Sequence, residues 1–142
     1  MSSFRTFDIA GSGMAAQSVR LNTVASNLAN ADSVASSADA VYKARHPLFE
    51  AVQAMNGVQP AGANGGAAVR VRGIVESDAA PVARYEPGNP LANAEGYVYA
   101  PNVNVVEEMV DMISASRSYQ NNVEVMDTAK TLMMATLRLG QS

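Results

Sequence analysis

The residues able to do chemistry are few and poorly matched to one another. The chain holds one histidine, His46, directly before Pro47 and close to Tyr42, Lys43 and Arg45. A proton relay or a common metal site needs a second imidazole or a carboxylate at fixed reach, and no such grouping accompanies it. Cysteine is absent, which removes thiolate nucleophiles, disulfides and sulfur-based metal sites while leaving the compartment open. Gly11-Ser12-Gly13 has the outline of a nucleotide-binding turn, but no strand precedes it and Ala16 stands in place of the third glycine. Its glycines fit better as a point where a neighbouring helix comes close. Glu107, Glu108 and Asp111 form an acidic cluster that helix-terminus electrostatics explains without a bound cation. The eight methionines, most of them near the C-terminal end, suit an adaptable apolar surface better than a redox or copper site. No catalytic residue, metal or cofactor is expected, and an enzyme is the least favoured class.

A chain of 142 residues fits one ordinary domain, or a smaller one with long extensions. Its formal net charge of -3, with 10 Lys+Arg, offers no concentrated basic surface for nucleic acid. The N-terminal residues lack a basic segment followed by an apolar run and a cleavage site, so a removed signal peptide is not expected. Apolar runs stop well short of the ~18 to 20 consecutive positions a membrane span requires.

The elements that must position these residues divide the chain in three. All six prolines lie between Pro47 and Pro101, while both ends are free of proline and read with helical period. Residues 1–33 hold the first helix: Phe7, Met14, Leu21 and Leu28 recur every seven residues, with Ala10 or Gly11, Ser18 and Ala25 between them. This helix, over residues 4–30, is about 40 Å long at ~1.5 Å per residue, and closes at Asn30, Asp32 and Ser33. Residues 102–142 hold the second. Asn104 is placed to cap it, Glu107 stands three residues on, and Gly140 is the expected stop after Leu137. Met109, Met112, Ser116, Tyr119, Val123, Met126, Lys130 and Met133 follow in steps of four and three. A second row, Val125, Ala129, Leu132, Thr136 and Leu139, gives the last turns apolar surface on more than one side, which no single partner covers.

Residues 34–101 form a linker and a small β-rich insert. Val69–Val75 and Tyr97–Tyr99 read as strands, Pro87-Gly88-Asn89-Pro90 and Glu95-Gly96 as turns, and Gly57–Ala68 as a flexible loop. Residues 31–40 are a small-residue linker, either extended or loosely helical. The fold expected is mainly α with a small β insert, the long terminal helices paired antiparallel as a coiled coil. The expected packing positions are Phe7, Met14, Leu21, Leu28, Met109, Ile113, Val123, Met126, Met133 and Leu137. Ordering the first segment costs more conformational entropy than four apolar side chains return on burial, so a lone subunit is expected to have mobile ends that order on assembly.

The stretch Phe7-Asp8-Ile9-Ala10-Gly11-Ser12-Gly13-Met14 through Asn27-Leu28-Ala29-Asn30-Ala31-Asp32-Ser33 resembles the N-terminal signature of bacterial flagellar rod proteins. Pro101-Asn102-Val103-Asn104-Val105-Val106-Glu107-Glu108-Met109-Val110 and Ser114-Ala115-Ser116-Arg117-Ser118-Tyr119-Gln120 are similar to their C-terminal pattern, and Tyr42-Lys43-Ala44-Arg45 and Tyr85-Glu86-Pro87-Gly88 to the middle of proximal-rod members. Hook and distal-rod relatives share the Asn-Leu-Ala-Asn element but carry a longer middle. The resemblance implies a structural subunit exported unfolded through the flagellar type III apparatus, without a cleaved signal peptide. It implies assembly, with copies of itself, other rod proteins and the adaptor to the MS ring, into the torque-transmitting rod that spans the periplasm. It also implies that the terminal helices line the tube and the insert faces outward. The rival from another class is a soluble module or secreted effector whose amphipathic ends engage one partner helix or a membrane surface. A membrane-surface helix carries a row of Lys or Arg, and the first helix has only Arg5 and Arg20.

Overall fold

The computed structural model describes residues 3–52 and 66–140, with side chains from residue 5 onward. Most of the loop expected at 57–68 lies outside the described residues. Helix α1 runs Ser3–Ala29 and helix α2 Val105–Leu139, 27 and 35 residues long. Between them lie strands β1 (Arg45–Val52), β2 (Ala68–Glu76), β3 (Val82–Tyr85) and β4 (Tyr97–Ala100). These form two separate two-stranded antiparallel sheets, β1 with β2 and β3 with β4.

The helix ends follow from their polar residues. Asn30 Nδ2 donates to the Ser26 carbonyl at 2.8 Å and Ser33 Oγ donates to the Asn30 carbonyl at 2.7 Å, each adding a side-chain bond to a carbonyl that also accepts a backbone amide. At the start of α2, Asn104 Oδ1 accepts from the Val106 and Glu107 amides at 3.1 and 3.4 Å. The acids Glu107 and Glu108 occupy the first turn and Arg138 the last, matching the helix dipole.

The linker is extended where it matters. Ala35 exchanges two backbone hydrogen bonds with Tyr99, each 2.9 Å, which ties the linker to β4. Strands β2 and β4 fall on the two segments read as strands, the alternating Val69–Val75 and the apolar Tyr97–Tyr99, and β1 and β3 are additional. β1 contains Pro47 and a register shift between Leu48 and Phe49, features a strand tolerates when its sheet has only two members and both outer edges are free. Opposite β3, Tyr97 meets Tyr85 edge-on with ring centroids 5.2 Å apart. The turn before β4 needs Gly96, whose φ of +83° is one that L side chains rarely adopt.

The helices run antiparallel: Asn27 meets Glu108, Arg20 meets Asp111, and Gly13 lies against Asn122. The core is made of small side chains, among them Ala10, Ala16, Val24, Val41, Ala44, Val98, Ala100 and Ala115. The buried residues gather at the end of α1 (Thr23, Val24, Asn27), in the linker that follows (Ala31, Val41, Ala44), on β4 (Val98, Ala100) and at Glu108 and Ala115 of α2. Among the described side chains no Phe, Leu, Ile or Met is buried. The largest fully buried side chains are Val98 and Asn27.

Candidate functional site

The contact between α1 and α2 follows a heptad, but it lies one residue ahead of the bulky row. Thr6, Gly13, Arg20 and Asn27 are seven apart, and each faces α2. Thr6 joins Asn121, Val125, Ala129 and Leu132 in lining a groove. A Cβ on Gly13 would come 2.8 Å from Asn122 Nδ2, so glycine is what allows the helices to approach there. Arg20 donates to Asp111 Oδ1 at 2.8 Å. This ion pair is partly solvated, so its net contribution is below about 1 kcal/mol.

On α2, Glu108, Asp111 and Asn122 meet α1, and Met126 of the bulky row reaches it too, its Cε 3.8 Å from where a Cβ on Gly11 would lie. The expected packing residues Phe7, Met14, Leu21 and Leu28 are half-buried on the flank of α1, as are Val123, Met126 and Met133 on α2. Met109, Ile113 and Leu137 are exposed. A seam rich in small and polar side chains lets the backbones come close, and the bulky residues are left half-buried or exposed.

Asn27 is the centre of the junction and is fully buried. Its Nδ2 donates to the Arg45 carbonyl at 2.9 Å and to Glu108 Oε1 at 3.0 Å. Its Oδ1 accepts from the Tyr42 hydroxyl and from the Arg45 amide, both at 2.9 Å. One side chain thereby joins α1, the linker, β1 and α2 with every hydrogen-bonding position of an amide in use. Ser26 Oγ lies 3.2 Å from the Tyr42 hydroxyl, and the Arg45 guanidinium sits over the Tyr42 ring at 5.6 Å from its centroid. Burial pushes the Glu108 carboxyl above the ordinary glutamate range, with Asp111 and Glu107 acting in the same direction. The bond from Asn27 and the charge of His46 oppose the shift.

The other motif residues divide by role. Asn30 closes α1, Asn104 caps α2 with Glu107 in its first turn, and Leu28 and Val103 are half-buried. Ala29, Asn102 and Tyr119 are exposed. At the other end of the molecule, Ser12 Oγ accepts from the Val69 amide at 3.0 Å and donates to the Ile9 carbonyl at 2.8 Å, fastening β2 to α1. No group of three or more His, Cys, Asp or Glu suited to a metal exists among the described residues. No helix among them is long and apolar enough to cross a membrane.

Two faces of α2 remain uncovered. Val106, Met109, Val110 and Ile113 form one row over its first two turns, with Val106 70% and Val110 60% exposed. At the far end Leu132, Met134 and Leu137 are exposed, Leu137 at 59%. Helical ends, a polar clasp and large uncovered apolar rows are the equipment of a protein that builds an assembly.

Known families agree with that geometry. Residues 7–35 match the family described as "Flagella basal body rod protein", and residues 94–139 that described as "Flagellar basal body rod FlgEFG protein C-terminal". The class is thus that of structural proteins of the flagellar basal-body rod. Over 141 residues, covering 99% of this chain and 100% of each relative, the chain is 53% identical to the flagellar basal-body rod protein FlgC of Salmonella typhimurium and to that of Escherichia coli O157:H7. It is 35% identical over 150 residues to FlgC of Bacillus subtilis. The chain belongs to the FlgC family of flagellar basal-body rod proteins. It is a structural subunit and not an enzyme, and the rival of a soluble module engaging one partner finds no support.

Proposed function

We propose that the chain polymerises helically through its paired terminal helices, forming the proximal part of the rod as a torque-transmitting shaft around an export channel. The observation that carries this is the failure of the lone subunit to bury any described Phe, Leu, Ile or Met, although a chain with 48% apolar residues has them in supply. In the assembled state, helices of adjoining copies and of other rod proteins cover the rows of Phe7, Met14, Leu21 and Leu28 and of Met109, Ile113 and Leu137. Coiled-coil packing is thereby completed between subunits as well as within them. Contacts between unlike faces that do not close on themselves build a helical tube.

The subunit reaches the rod unfolded, through the flagellar type III export apparatus and without a cleaved signal peptide, and its first neighbours are the adaptor to the MS ring and other rod proteins. The small-residue seam suits that route, since few bulky side chains must find intrachain partners before assembly. Electron cryomicroscopy of isolated basal bodies tests the proposal. The expected result is this chain in the proximal rod with Val106, Val110 and Leu137 at contacts between subunits; finding those three facing solvent in the assembled rod would refute it.

A further inference from the structure

The junction holds one group whose needs are not met. Glu108 is 6% exposed and accepts a single hydrogen bond, on Oε1 from Asn27. Its Oε2 is buried without a hydrogen-bond partner. The amide that serves Oε1 has no capacity left, because both its N–H groups and its oxygen are already engaged. An ionised carboxylate held this way keeps its charge out of water for one neutral hydrogen bond, whereas the neutral acid leaves only a hydroxyl to be accommodated.

The surrounding charges do not rescue the anion. From α1, Arg20 is committed to Asp111. From β1, the Arg45 guanidinium pairs with Glu76 and covers the Tyr42 ring, so it presents only its backbone to the junction. Two features favour the anion, the positive end of the α2 dipole and, when protonated, the exposed His46 on β1, but neither gives Oε2 a hydrogen bond. From the linker, the Tyr42 hydroxyl donates to Asn27. On α2 itself, Glu107 and Asp111 are negative and oppose a further negative charge. Among the described residues Glu108 has no ion-pair partner within reach.

We propose that the buried, unpartnered Oε2 of Glu108 couples the junction to the protonated form of this carboxyl, so that docking of α2 against α1 and β1 is favoured, with proton uptake, as pH falls through its titration. The clasp that joins four elements is then sensitive to acidity, closing more firmly as pH falls. The sign follows from linkage. A carboxyl whose folded value lies above its unfolded one, ordinarily 4.5, contributes its full stability below that unfolded value. The contribution is lost as pH rises through the folded value.

The test uses the full chain with Gly13→Cys and Asn122→Cys oxidised to a disulfide. This holds the helices paired some four turns from Asn27, whether or not the free subunit pairs them. Carbon-13 labelling of glutamate side chains, with Glu108→Gln identifying the resonance, gives the titration of Glu108 in the folded chain and in concentrated urea. The expected result is a midpoint at higher pH in the folded chain; a midpoint equal to or below that in urea overturns the proposal. In urea denaturation, the unfolding midpoint of the parent should rise relative to Glu108→Gln as pH falls from neutral, and parallel profiles overturn it as well. So does a clamped chain whose Asn27 amide protons exchange as fast as in urea, since the junction would not have formed with its helices already together. None of these outcomes depends on whether the chain is found in the rod.

Discussion

Asn27 does more for this fold than any apolar residue near it. Replacing it with alanine removes four hydrogen bonds and leaves the Arg45 amide and carbonyl without their partners, together with Glu108. With buried polar groups orphaned, Asn27→Ala should cost about 2 to 4 kcal/mol. The measurement is the urea unfolding midpoint, and a change below ~1 kcal/mol would mean that water serves the junction equally well. Asn27→Asp keeps the two acceptor contacts but sets a second carboxyl against Glu108. Its destabilisation should be greatest at neutral pH and shrink as the pair gains protons in acid. None of this was legible in the periodicity. A search for apolar repeats passes over a heptad of Thr6, Gly13, Arg20 and Asn27, and the resemblance to rod proteins marked Asn27 without a physical role. The only sequence signal was the cost of an asparagine in a helix interior, which calls for some compensating use.

At the scale of elements, the parts with strong local chemistry were readable and those held by tertiary contacts were not. Both helices, the Asn104 cap and the strands at β2 and β4 follow from spacing and cap residues. β1 and β3 escaped because proline and charge interrupt the alternation, and only their partner strands make them strands. The glycine pair in α1 was read as a site of close approach, and Gly13 is one: alanine there gains up to ~1 kcal/mol of helix propensity but drives a methyl into Asn122. Gly13→Ala should therefore weaken α1–α2 pairing, and the double variant Gly13→Ala with Asn122→Ala should recover the loss. A cycle of unfolding midpoints checks the coupling; additive effects would show that the contact is looser than its geometry. For Asn104→Ala, loss of the cap should cost about 1 kcal/mol. Faster hydrogen exchange at the Val106 and Glu107 amides would report it locally.

The whole molecule is organised around faces it does not use. Its helices meet along small and polar side chains, its sheets have two strands each, and its bulky residues point outward or lie half-covered at the flanks. In a self-sufficient domain such an arrangement would be unstable or prone to aggregate, whereas in a polymer each uncovered row has a neighbour. That separation gives a test in which stability and assembly part company. Val106, Val110 and Leu137 are exposed in the lone chain, so Val106→Asn with Val110→Asn, or Leu137→Asn alone, should change its unfolding free energy by no more than ~0.5 kcal/mol. If those side chains are buried between subunits, each loses about 1.5 to 3 kcal/mol of contact energy at every copy in the rod. Swimming should then fall sharply in strains carrying either variant, while circular dichroism and denaturation of the isolated chain stay close to the parent. Full motility with both ends of α2 altered would mean the exposed rows are not assembly contacts. A loss confined to the Val106 and Val110 variant would place the essential contact at the start of α2, beside the Asn27 junction, and leave its far end free of neighbours.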